Sequence, residues 1–318
     1  MNYIERKEDY LKNRIIPQTA NEDFAEFWQT HVGKLKEIPV KIQKRLLKTP
    51  YDKTITTHEI SFNTHDDTVV YAYFSKPANM EGKLPCVVWY HGGGGKRRIY
   101  PNIVACGVCC FAMDVRSQHG KTFDLAQYEM GTDYVIGSMV THDILYKDSY
   151  YLKNIYLDAV RALDVVALLP EVDSEKIVTF GESQGGALSI VASALGDKSV
   201  KCYASVPSYG CLWNRVENGS GVFKAVNILL GRNPELTDQV FDTLTYFDVN
   251  NMVSLLKVPA HYTLGLSDPT CLPEFVYSFY HHTNTEKELT IAPFTGHTAS
   301  EDYLNKVYTE FSEMAEGL

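Results

Sequence analysis

Residues 176–190, Lys-Ile-Val-Thr-Phe-Gly-Glu-Ser-Gln-Gly-Gly-Ala-Leu-Ser-Ile, hold the serine best placed to act as a nucleophile. An apolar run from Ile177 to Phe180 breaks at Gly181-Glu182-Ser183-Gln184-Gly185-Gly186, and a helix-like run follows. This is a G-x-S-x-G turn in a strand–turn–helix context. Such a turn needs strained backbone at the serine and very small residues two positions to either side, and Gly181 and Gly185 supply them. A helix starting directly behind Ser183 also aims unpaired N–H groups and the positive end of a dipole at the reacting oxygen. The competing reading is a glycine-rich turn with a spectator serine, so the rest of the chain has to decide.

A serine hydroxyl attacks a carbonyl only when a base takes its proton and a carboxylate orients that base. In a strand-and-helix fold of this kind the acid and then the histidine follow the serine, each in a loop after a strand. Tyr262 to Leu266 reads as a strand and delivers Asp268; Leu289 to Ala292 reads as the last strand and delivers His297. His281 and His282 lie in an expected helix from Pro273 to His282, where they read as cations at a helix C-terminus. Asp248, within a helical stretch, is a second candidate acid. A tetrahedral intermediate also needs two backbone donors for its negative oxygen. One is the N–H of Gln184, directly after the nucleophile. The other belongs to a glycine-rich loop after an early strand, and His91-Gly92-Gly93-Gly94-Gly95 follows Val87 to Tyr90. That loop lacks the Gly-Lys-Ser/Thr ending of a phosphate cradle, since Lys96 is followed by Arg97.

These loops need rigid strands beneath them. The apolar runs Cys86–Tyr90, Val108–Met113, Ile177–Phe180, Val200–Val206, Tyr262–Leu266 and Leu289–Ala292 are short and continuous, as parallel strands buried on both faces require. Helical patterns alternate with them, the clearest being Tyr151 to Leu169, ended by Pro170. A mostly parallel, doubly wound α/β sheet follows. Thr68 to Phe74 is rich in Thr, Val and Tyr and predicts antiparallel edge strands between about 54 and 76. Before it, Asn21 is placed to cap a helix whose stripe is Phe24, Phe27, Trp28, Val32 and Leu35. The lysines and arginine at 34, 36, 41, 44, 45 and 48 read as a solvated helix face. Residues 117–150 form a long segment with few helix signals, unusual unless it binds something. Residues 208–257 read as a helical insertion that walls the site.

Composition narrows the class. A formal charge of −9 argues against a nucleic-acid partner and against an anionic membrane. The N-terminus has no apolar secretion signal and no run is long enough to span a bilayer, which reads as a cytoplasmic protein. The seven cysteines lack paired zinc-binding spacing, although Cys106 and Cys109 stand three apart, so no metal is expected. They read as buried thiols in a reducing compartment.

The elbow resembles the Gly-x-Ser-Gln-Gly signature of the acetyl xylan esterase and cephalosporin C deacetylase family, carbohydrate esterase family 7. Asp23 to Trp28, Tyr156 to Leu163 and Leu244 to Val249 resemble other segments of that family, so the likeness spans nearly the whole chain. It implies an α/β-hydrolase fold, which we read as a single domain over 1–318 with an N-terminal helical arm at 1–50. It implies Ser183 as nucleophile, Asp268 as orienting acid, His297 as base, and the N–H groups of Gly93 and Gln184 as the oxyanion hole, with no cofactor. Three positions depart from the family pattern. Gly93 stands where a tyrosine is usual, Arg116-Ser117-Gln118 replaces Arg-Gly-Gln, and His297-Thr298 replaces His-Glu. Ser117 fits only if the backbone there does not require positive φ. The 117–150 segment corresponds to a loop used in hexamer assembly, and Gly137-Ser138-Met139-Val140-Thr141 follows that pattern in part. The expected activity is serine-dependent removal of short acyl groups, acetyl foremost, from small substrates such as acetylated xylo-oligosaccharides and cephalosporin C. The alternatives are a hydrolase or peptidase of other acyl specificity and a catalytically silent scaffold.

Overall fold

The computed structural model describes residues 2–130 and 139–317. Nine strands form one sheet: β1 (Ile42–Leu47), β2 (Ile55–Asn63), β3 (Val69–Pro77), β4 (Leu84–Tyr90), β5 (Cys109–Met113), β6 (Val172–Glu182), β7 (Lys201–Ser205), β8 (Ala260–Gly265) and β9 (Lys287–Ala292). Their order across the sheet is β1-β2-β3-β5-β4-β6-β7-β8-β9. The first three pair antiparallel, and β3 also runs antiparallel to β5. From β5 to β9 every neighbouring pair is parallel. The expected mostly parallel sheet with antiparallel N-terminal edge strands is therefore present.

The apolar runs of β4, β5, β6, β7 and β8 are buried on both faces, as expected of parallel strands, whereas β9, at the edge of the sheet, is only half-buried. On one face the helices Tyr151–Ala167 and Gln184–Leu195 pack with Phe24–Glu37 around Trp28, Tyr156 and Phe247. On the other, Val87, Val178, Phe180 and Tyr203 pack against Tyr303, Val307 and Phe311 of the C-terminal helix Glu301–Glu316. The chain runs from β4 outward to β5, then returns to place β6 on the other side of β4. That reversal opens a crevice beyond the carboxyl ends of β4 and β6, the place where open α/β sheets bind ligands. The glycine loop and the serine elbow both start there.

Two local expectations need correction. The helix Phe24–Glu37 buries the anticipated stripe, but Asp23 occupies its cap without a side-chain cap bond. The Asn21 amide is engaged elsewhere, donating to Asp242. Residues 42–47 are an exposed edge strand and not a helix face. Their backbone groups pair with β2 from Ile42↔Phe62 to Leu47↔Thr57, and this long-range ladder overrides a weak local signal. Charge on such an edge discourages pairing with another chain. Between β7 and β8 lie the helices Leu212–Glu217, Lys224–Arg232, Thr237–Thr245 and Val249–Met252.

Candidate active site

The elbow glycines answer to specific contacts. A Cβ on Gly185 would lie 1.9 Å from the Tyr90 carbonyl oxygen, and one on Gly181 would lie 2.4 Å from Gly185 itself. Neither approach is possible for any other residue. Ser183 takes φ 58°, ψ −117°, a sparsely populated conformation that costs on the order of 1–3 kcal/mol. It is held there by bonds from its N–H to Ser205 O at 2.9 Å and from Ser208 N–H to its carbonyl at 3.0 Å. The strain stands the hydroxyl clear of the sheet at the head of the helix Gln184–Leu195.

The structure brings Ser183, Asp268 and His297 together. Imidazole Nε2 lies 2.9 Å from Ser183 Oγ, and Nδ1 lies 2.8 Å from Asp268 Oδ2. Because the carboxylate can only accept, Nδ1 carries a proton, and in the neutral imidazole Nε2 is left to accept from the serine hydroxyl. Asp268 Oδ1 accepts from Thr270 N–H at 2.8 Å and Cys271 N–H at 2.9 Å, so the acid is fixed before it meets the histidine. The Asp268 hydrogen bond, followed by the Cys271 side chain, pushes His297 up to about 10, and burial opposes this. The two loops are joined by Ser267 N–H to Thr295 O at 3.0 Å. Gly265 permits the approach, since a Cβ there would lie 2.4 Å from the carbonyls of Thr295 and Gly296.

Asp248 sits elsewhere. It caps the helix Val249–Met252 and takes the N–H groups of Cys211, Leu212 and Asn250. Burial pushes it up to about 6 against those three donors. His281 and His282 occupy the last turn of Pro273–His282, and His282 bonds the Ile16 carbonyl at 2.9 Å.

Parallel register sets Tyr90 beside Gly181, so the glycine loop emerges next to the elbow. His91 braces that loop. Its Nε2 accepts from Val115 N–H at 3.0 Å, leaving Nδ1–H to donate to the Gly92 carbonyl at 2.8 Å. The Gly93 N–H makes no hydrogen bond among the described residues. That of Gln184 opens a helix and has no intrahelical partner. Neither N–H is engaged among the described residues, and both residues line the cavity at Ser183.

Sequence reasoning assigned no role to the residues that lock this arrangement. Gln118 donates to Gln184 Oε1 at 2.8 Å and accepts from Gly94 N–H at 2.9 Å, tying the elbow to the glycine loop. Tyr209 donates to the same Gln184 oxygen at 2.7 Å. Glu182 accepts from Ala299 N–H at 3.2 Å and holds the exit of the histidine loop. Only Gln118 carried a signal, as part of a three-residue motif. Its neighbour Arg116 is fully buried and paired with Asp66, Asp124 and Asp158, which anchors the turn. Ser117 has φ 56°, a positive value that glycine takes freely and serine only at a cost, so this departure carries strain. Met139, Val140 and Thr141 form a short 3₁₀ turn, and the first two line the cleft; Gly137 and Ser138 lie outside the described residues.

Two cavities meet at Ser183. One, of about 50 Å³, is bounded by Gly93, Gln184, Tyr209, Val222 and Phe223. The other, of about 660 Å³, opens over Gly94, Gln118, His119, Met139 and His297. Asp268, Cys271 and His297 offer donor atoms close enough to hold an ion, but the carboxylate and imidazole are already bonded to each other.

The sheet order, the crevice and the strand-end loops place the protein among the α/β-hydrolases. More narrowly, the chain belongs to the acetyl xylan esterase family: the family model described as acetyl xylan esterase (AXE1) matches residues 1–314. It is 30% identical to the solved acetyl xylan esterase from Paenibacillus sp. R4, with a TM-score of 0.89 over 99% of this chain and 100% of that one. Acetyl xylan esterase 1 from Thermoanaerobacterium sp. JW/SL YS485 shares the fold, with a TM-score of 0.87 at 23% identity over 99% of both chains. Acetyl esterase Axe7A of Xylanibacter ruminicola is 28% identical over 90% of this chain; the match spans 66% of that longer protein. No helix among the described residues is long and apolar enough to cross a membrane.

Proposed function

We propose that the protein is a serine carboxylesterase that removes acetyl groups from small acetylated sugars, xylo-oligosaccharides foremost. The observation that carries this reading is the continuous hydrogen-bonded line Ser183–His297–Asp268. In this mechanism His297 Nε2 takes the hydroxyl proton as Ser183 Oγ attacks the ester carbonyl, and the negative oxygen that develops is met by the N–H groups of Gly93 and Gln184. The same imidazole returns the proton to the leaving sugar oxygen, which gives an acetyl-serine. Water, activated by His297 in turn, releases acetate.

Cavity size supports a short acyl group. The space of about 50 Å³ beside Ser183 suits an acyl group of a few heavy atoms, while the adjoining cleft of about 660 Å³ has room for a sugar leaving group. The absence of a side chain at Gly93 widens the boundary between the two. Cephalosporin C, which carries an acetyl ester, is a further substrate on this reading. Seven free cysteines, six of them buried, suit a reducing cytoplasm. Exposed Phe123 and Leu125 in the long loop support a homo-oligomer, with the hexamer implied by the family likeness; light scattering reports the assembly size.

Hydrolysis of 4-nitrophenyl acetate, butyrate and octanoate by wild type and Ser183→Ala tests the reading. We expect serine-dependent turnover that falls steeply from acetate to octanoate. No serine-dependent turnover on any ester would sink the esterase; faster octanoate hydrolysis would sink the short-acyl pocket.

A further inference from the structure

A second cluster of reactive side chains lies at the opposite end of the sheet. His261 is the second residue of β8 and Glu288 the second of β9, directly paired in the parallel register. Both therefore stand at the amino ends of their strands, whereas Asp268 and His297 follow the carboxyl ends of those strands. Glu310 reaches the same place from the C-terminal helix. Ligand atoms of His261, Glu288 and Glu310 all lie within 4.8 Å of one another.

His261 is the informative member. It retains 1% of its surface, yet its Nδ1 has no hydrogen-bond partner, which is costly for a buried polar atom. Nδ1 lies 3.9 Å from Glu288 Oε2, too far for a hydrogen bond. The other nitrogen, Nε2, lies 2.9 Å from Thr290 Oγ1. If Nε2–H donates to that oxygen, the lone pair of Nδ1 points into the cluster, the arrangement in which an outer hydrogen bond orients a metal-binding imidazole. Tyr303 stacks edge-on at 4.8 Å and closes one side of the ring.

The carboxylates are only half committed. Lys306 bonds Glu288 Oε2, and Lys201 and Tyr203 bond Glu310 Oε2. Oε1 of each glutamate accepts no hydrogen bond among the described residues. The Glu288 side chain is 39% exposed and gives solvent access, and that of Lys306 is 50% exposed and free to swing away.

We propose that His261, Glu288 and Glu310 bind one divalent transition-metal ion of the zinc class, which staples the C-terminal helix to β8 and β9. One imidazole nitrogen and two carboxylate oxygens, with water completing the shell, is a donor set that such ions accept. The site is remote from the serine and has no part in the hydrolysis.

Zinc chloride titrated calorimetrically into the full chain, stripped with EDTA and dialysed, tests this in wild type, Glu310→Gln and Lys306→Ala. Wild type should bind one equivalent, and Glu310→Gln should weaken that binding by about tenfold or more. Lys306→Ala should tighten it several-fold by removing the competing ammonium. Should Glu310→Gln lose its native circular dichroism, Lys306→Ala still decides, because only an ion seated beside Lys306 gains affinity. Absence of saturable binding overturns the proposal. So does binding that the available variants leave unchanged, or binding that abolishes ester hydrolysis, which would put the ion on Asp268, Cys271 and His297.

Discussion

Asp268 and Asp248 are the same residue type, each 3% exposed, each taking backbone N–H groups, and each a candidate acid on sequence. Their partners separate them. Asp268 uses one oxygen on Thr270 and Cys271 and keeps the other for His297. Asp248 spends both oxygens on the backbone of Cys211, Leu212 and Asn250. One carboxylate is anchored so that it can act on a side chain, and the other closes the insertion onto the domain. Burial and charge do not distinguish a reactive acid from a structural one; the oxygen left over does.

The sharpest break of that pair is Asp268→Asn against Asp248→Ala. Asn at 268 can keep the backbone bonds but no longer holds His297 in the tautomer that accepts from Ser183. It should lower kcat on 4-nitrophenyl acetate by about 10⁴-fold with little change in the urea midpoint. Ala at 248 orphans three buried N–H groups, at about 1–3 kcal/mol for each left unsatisfied. It should cost about 3 kcal/mol or more in urea unfolding while the folded fraction still turns over ester. Equal stability losses in the two variants would erase the distinction.

Titration sharpens it next. His297 works as a base only when neutral, and Asp268 holds it up to about 10, from an ordinary 6.5. The acid limb of kcat/KM should therefore lie above 6.5, and Asp268→Asn should move the residual activity's limb back down. The stability contributed by protonated His297 is full below 6.5 and is lost as pH rises through about 10. Asp248 behaves differently: its pKa is raised from 3.8 to about 6, so the native state holds its proton longer and stability falls as pH rises across that interval. An acid limb that Asp268→Asn leaves in place would remove His297 as the group that sets it.

The smallest effect is at Ser117, whose φ of 56° strains any residue with a Cβ. Ser117→Gly should raise stability by roughly 0.5–1 kcal/mol, net of the flexibility glycine adds to the unfolded chain, as read by the urea midpoint. A loss of stability would show that the serine is better suited to its turn than its backbone implies.

Much of the scaffold was legible in the sequence because it is locally encoded. Continuous apolar runs mark strands, and each of the six read this way is a strand of the sheet, although the edge strand β9 is only half-buried. The stripe from Phe24 to Leu35 marks one helix face, and Gly181 and Gly185 mark a turn whose crowding leaves no room for a Cβ. The order of serine, acid and histidine at strand ends also survives without coordinates, because a strand delivers the residue that follows it. What only the tertiary structure decided depends on partners far away in the chain. The 42–47 segment became a strand because β2 lies beside it, Asn21 gave up its cap to reach Asp242, and Ser117 bears its strain because buried Arg116 anchors the turn. The choice between Asp268 and Asp248, the roles of Gln118 and Tyr209, and the unpaired nitrogen of His261 are all matters of which atoms meet across the sheet. Spacing along a chain specifies a residue's own element, whereas its free oxygen or nitrogen is specified by every other element packed around it.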